Sequence, residues 1–74
     1  MNPYPNPSAN GIFNINAAEY SLVKILDMQG KVVAETPLLP GLNPLNLSFL
    51  KAGSYLMVGT DSHGRVIREK LIVR

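Results

Sequence analysis

The sequence contains no cysteine, no tryptophan, one histidine and only five carboxylates. Without cysteine, neither a disulfide nor a thiolate zinc centre can supplement the core, so apolar burial has to hold the fold. The lack of tryptophan removes the flat aromatic platform that sugar-binding modules usually present. No apolar run approaches the ~18–20 residues that span a bilayer. The opening does not read as a signal peptide, because Asn2, Pro3, Pro5 and Pro7 occupy the place of its apolar stretch. If the protein is exported, the export signal is expected elsewhere in a longer precursor.

The polar residues that remain do not assemble into a recognisable catalytic pattern. His63 is flanked by Asp61 and Ser62. Three neighbours in one turn cannot hold a nucleophile, base and orienter in the geometry that distant parts of a fold provide. A lone histidine in a turn reads as a solvated residue without ligand partners. Glu19, Asp27, Glu35, Asp61 and Glu69 are scattered, and no calcium loop or glycine-rich phosphate loop is present. No enzyme activity and no cofactor or metal site are expected. Seven basic residues give a net charge of +2, with Arg65, Arg68, Lys70 and Arg74 in the last ten positions. That bias lacks the dense basic face and reading element of a nucleic-acid binder, so no nucleic-acid partner is expected.

With 74 residues, 46% hydrophobic and 16% charged, the chain is one small domain, apolar enough to fold. Residues 1–11 read as a Pro/Asn-rich linker and opening motif, extended because proline fixes φ and removes donors. Asn10-Gly11 is a turn signal. Residues 12–74 then read as short strands between turns. Ile12, Phe13 and Ile15 mark the first. Ser21 to Asp27 is the second, apolar on both parities as in a strand covered on both faces. Asp27-Met28-Gln29-Gly30 turns it into a third, Lys31 to Glu35.

Thr36 to Pro44, with Pro37, Pro40, Gly41 and Pro44, reads as a crossing loop or edge segment. Leu45 and Leu47 alternate with Asn46 and Ser48 as a short fourth strand. Ser48 to Gly53 is a tight connection, read as a single helical turn closed by the glycine. Ser54 to Thr60 is a strand, Asp61-Ser62-His63-Gly64 a turn, and Arg65 to Arg74 the last strand. Phe13, Phe49 and Tyr55 are expected to fill the core. In the last strand Ile67, Leu71 and Val73 share the inward parity, which also turns Glu69 inward unless a bulge or an uncovered edge releases it. Six or seven strands, with no helical stripe, predict an all-β antiparallel sandwich.

The punctuation follows a family pattern. Tyr4-Pro5-Asn6-Pro7 with Asn10-Gly11-Ile12-Phe13 resembles the opening of the type IX secretion C-terminal sorting domains. Val23 to Val33, turning through Asp27 and Gly30, resembles that family's central hairpin. Leu47 to Tyr55, passing through Gly53, resembles its next block, and Glu69-Lys70-Leu71-Ile72-Val73-Arg74 its terminal basic–apolar strand. Four weak blocks in order, over nearly the whole chain, are specific together. Leu26 stands where an aromatic is common and Arg74 where lysine is common.

The resemblance implies a small Ig-like sandwich at the end of a cargo protein from a Bacteroidota-type bacterium. Such cargo passes through the periplasm and reaches the cell surface or the medium. The implied partners are the type IX translocon and its shuttle components, a sortase-like signal peptidase that removes the domain at or before the Pro-rich opening, and the upstream cargo domain. The sorting-motif residues are Pro5, Asn6, Pro7, Gly11, Asp27, Gly30, Gly53, Tyr55, Lys70, Leu71, Ile72, Val73 and Arg74. The terminal strand offers two recognition routes, strand addition to its edge or contact with its basic face. The plainer reading is that Leu71 and Val73 complete the core. An isolated copy is also open to edge-to-edge pairing. The alternative to a sorting module is a structural or adhesive fibronectin-like sandwich.

Overall fold

In the computed structural model, which describes residues 3–74, six strands form two antiparallel sheets. Met1 and Asn2, the start of the opening motif, lie outside the described residues. The strands are β1 (Ile12–Ala17), β2 (Ser21–Leu26), β3 (Val32–Leu38), β4 (Gly41–Asn46), β5 (Gly53–Asp61) and β6 (Val66–Val73). One sheet pairs β1 with β4; the other runs β3-β2-β5-β6. This is the connectivity of the immunoglobulin-type sandwich, with β1 and β4 in the B–E positions and β3-β2-β5-β6 in the positions C′-C-F-G. Tyr55, near the start of β5, donates its hydroxyl to Lys51 O at 2.6 Å, the tyrosine corner expected where strand E hands over to F.

Alternation builds the core. Phe13, Ile15 and Ala17 point inward from β1 and Val23 and Ile25 from β2. They meet Leu38, Leu45, Leu47, Tyr55, Met57, Leu71 and Val73. Phe13, Ile15, Val23, Ile25, Leu47, Met57 and Leu71 have no exposed surface. Each side chain removed from water contributes about 1.5–3 kcal/mol, the main term available to a fold without cross-links.

Two hairpin turns are built alike. Asp27 Oδ1 accepts from the N–H groups of Gln29 and Lys31, and Asp61 Oδ1 from those of His63 and Arg65. Gly30 and Gly64 close the turns at φ of 87° and 78°, each donating its N–H to the aspartate carbonyl.

Several expectations are corrected. Of the two readings of Thr36 to Pro44, the edge segment holds and the loop does not: β3 runs to Leu38, and β4 begins at Gly41 and ends at Asn46, both at sheet edges. Only Leu39 and Pro40 join the two sheets there. Asn43 makes this sharp crossing feasible: its Oδ1 accepts from Leu39 N at 3.0 Å, and its Nδ2 donates to Leu39 O at 2.8 Å and Gly41 O at 3.0 Å. Pro37 and Pro44 sit in edge strands, where a missing donor costs no ladder bond. Ser48 to Gly53 is a turn, not a helical turn; Leu50 packs against the core, while Phe49 is 67% exposed and is not a core residue. Strand β2 is buried on one face only, with Leu22 39% exposed on the other. Glu69 does have inward parity, opposite Met57, with no register shift between β5 and β6. It stays half-buried because the two-stranded sheet covers only the Leu71–Val73 end of this edge strand.

Gly11 packs closely against the backbone of Leu47 and Ser48. Its φ is 79°, and a Cβ there would lie 2.9 Å from Ser48 Cα and 3.0 Å from the Leu47 carbonyl. Its own carbonyl accepts from Leu47 N at 2.8 Å. Gly30 has a similar φ with open space around it. Gly11→Ala should therefore cost about 2–3 kcal/mol and Gly30→Ala about 1 kcal/mol, read from urea midpoints. Equal losses would contradict the packing role of Gly11.

Candidate functional site

The opening segment meets the last strand. Alternate residues of an edge strand turn their N–H and C=O groups away from the neighbouring strand, and in β6 Ile72 is one of them. Its N–H donates to Asn6 Oδ1 at 3.0 Å, and its carbonyl accepts from Ser8 N at 2.9 Å. Asn6 Nδ2 donates to Lys70 O at 2.6 Å, and Arg74 N donates to Ser8 O at 2.9 Å. The Asn6 amide copies a backbone, with donor and acceptor side by side. Ser8 then pairs with Val73 as a parallel bridge. Residues 6–8 thus close the edge of β6 from Lys70 to Arg74.

The same segment is fixed to the other sheet. Tyr4 and Asn14 exchange both backbone bonds, at 3.0 and 2.7 Å, so the opening runs as a strap from β1 to β6. Ser8 is wholly buried; its hydroxyl shares one proton between Ile12 O at 2.9 Å and Asn10 Oδ1 at 3.0 Å. Asn10 Oδ1 also accepts from Ile12 N. Pro5 and Pro7 carry no N–H, so the strap offers few donors along which a further strand could grow.

Of the thirteen residues expected to form the sorting motif, Asn6, Pro7, Lys70, Leu71, Ile72, Val73 and Arg74 are gathered by this clasp. Leu71 and Val73 are buried and so also serve the core. Gly11 sits against the Leu47–Ser48 turn, and Gly53 and Tyr55 open β5. Asp27 and Gly30 lie in the β2–β3 turn, apart from the clasp.

A second cluster had no sequence signal. The β5–β6 turn lies beside Glu19 of the β1–β2 connection, bringing ligand atoms of Glu19, Asp61 and His63 within 4.8 Å of one another. His63 Nδ1 is 3.3 Å from Glu19 Oε1, a partner 44 positions away that no reading of the turn could supply. Arg65 Nε donates to Asp61 Oδ2 at 2.6 Å, and its Nη2 lies 3.6 Å from Glu19 Oε1. The guanidinium already supplies the cation between the two carboxylates, so the cluster acts as an ionic staple across an open cleft of about 270 Å³. Burial would push the Asp61 carboxyl up. The Arg65 N–H, the Arg65 side-chain bond, the His63 N–H and the Arg65 charge together outweigh it and hold the group below its usual 3.8.

Two outcomes follow from these contacts. Asn6→Ala should lower stability by about 1–2 kcal/mol, from two lost bonds at a partly solvated edge, measured by urea unfolding; no change would show the clasp contributes nothing. A carboxylate held low adds stability above its unfolded pKa and loses it as pH falls through the folded value. The loss of stability below about pH 4 should therefore be shallower in Asp61→Asn, which keeps the turn acceptor. Parallel curves for wild type and variant between pH 7 and pH 3 would contradict this.

A family model described as "Secretion system C-terminal sorting domain" matches residues 2–74. No curated protein and no solved structure matches the chain.

Proposed function

The chain belongs to the family of type IX secretion C-terminal sorting domains, and from that premise we propose that it directs an upstream cargo across the outer membrane and is then removed by a sortase-like peptidase. Membership implies interaction with the type IX secretion machinery and export of the cargo to the cell surface or the medium. A family of sorting signals is not a class of enzymes. The match over residues 2–74 carries this reading.

The geometry supports a division of labour among the motif residues. Gly11, Asp27, Gly30, Gly53 and Tyr55 set turns and corners; Pro5, Asn6 and Pro7 form the strap; Lys70 to Arg74 are the strand that the translocon and its shuttle components read. Cleavage belongs upstream of the clasp. From Tyr4 onward the backbone is engaged with β1 and β6, whereas a peptidase needs extended, unpaired chain. Cut there, the sandwich leaves whole, and the cargo is released or joined to the surface.

The test is a fluorescent reporter with a periplasmic export signal and residues 2–74 at its C-terminus, expressed in a type IX-competent bacterium and in a translocon-deleted strain. Reporter outside wild-type cells, trapped in the mutant and trimmed at or before residue 3, is expected. An intact, folded reporter held in the periplasm of both strains would contradict sorting and favour a structural spacer module.

A further inference from the structure

The four-stranded sheet has two faces, and the sandwich covers one. Register puts Leu26, Leu56 and Val58 on the other, with Lys24 beside Val58 on β2, Arg68 beside it on β6, and Lys70 beside Leu56. Leu26, Leu56 and Val58 are half-buried, sheltered only by their neighbours. Strand β2 has the composition of a strand buried on both sides, and the domain provides cover for one. The apolar centre is bracketed by cations. Lys24 lies 4.0 Å from Glu35, while Arg68 and Lys70 have no acidic partner among the described residues.

We propose that this outer face, rather than the edge of β6, is the surface by which the secretion machinery reads the domain, and that the partner presents an apolar surface rimmed by carboxylates. The inference rests on the sorting function above and names its surface. The strap decides between edge and face. Strand addition at Lys70–Arg74 would have to break the four bonds made by Asn6 and Ser8, whereas the face is open in the folded domain. Cations around an apolar centre favour a partner of opposite charge and disfavour a second copy of this chain, whose face carries the same cations.

The test uses the same reporter with two charge-matched variants. Arg68→Glu with Lys70→Glu reverses the face; Lys31→Glu with Lys51→Glu makes the same charge change at exposed positions in the connections that precede β3 and β5. Both pairs are exposed, and thermal melts check that the fold is kept. The face variant should lower secreted reporter at least ~10-fold, with reporter retained in the periplasm, while the turn variant secretes like wild type. Equal loss in both variants, or none in either, overturns the proposal. A dimer in sedimentation that the face variant abolishes would assign the face to a second copy and overturn it as well. If the face variant unfolds, Arg68→Gln with Lys70→Gln is read in its place. Failure of the unaltered domain to secrete would instead remove the sorting function itself, so the two failures are distinguishable.

Discussion

The closure of the β6 edge is the constraint on which the rest of this structure depends. A strand at the rim of a small sheet exposes donors and acceptors to any passing chain, and here the Lys70 carbonyl, the Ile72 N–H and carbonyl and the Arg74 N–H are taken by Asn6 and Ser8. The strap that does this is anchored to β1 through Tyr4, so both sheets are tied at one seam without a covalent link. Prolines occupy the other vulnerable positions, Pro37 in β3 and Pro44 in β4. The folded domain thus protects these edges with the opening strap at β6 and with prolines in β3 and β4.

The second constraint is arithmetic of layers. Two strands lie over four, so part of the larger sheet is left without cover. On the inner side this opens the cleft beside Ile67 and lets Glu69 reach solvent. On the outer side it leaves an apolar strip between Lys24, Arg68 and Lys70. The ionic staple of Glu19, Asp61 and Arg65, with His63 beside Glu19, stands where the sandwich gapes and joins the β1–β2 connection to the β5–β6 turn. Under the proposed reading, stability and recognition use different parts of one sheet.

Most of the strand order was legible because alternation and D-x-x-G turns are local signals: Phe13 and Ile15, Val23 and Ile25, Asp27 and Gly30 were read correctly from neighbours alone. The failures share a cause. Phe49 looked like core because it is large and lies between leucines, but turn geometry sends Leu50 inward in its place. The crossing at Leu39–Pro40 was hidden because Asn43 organises it through its side chain, which no periodicity reveals. The role of Asn6 depends on Lys70 and Ile72, more than sixty residues away. The family pattern marked both ends of the chain as important, and the structure adds that they touch.

The most direct measurement of this account is residue-resolved amide hydrogen exchange on the folded domain, read at Ile72 and Arg74. Both amides face away from β5 and have partners only in the strap. If the strap closes the edge, they will be protected to a degree comparable with the amides of the β2–β5 ladder, even though Arg74 is the last residue described. If they exchange at the rate of unstructured chain while that ladder stays protected, the edge is open in solution, and strand addition replaces the outer face as the route of recognition.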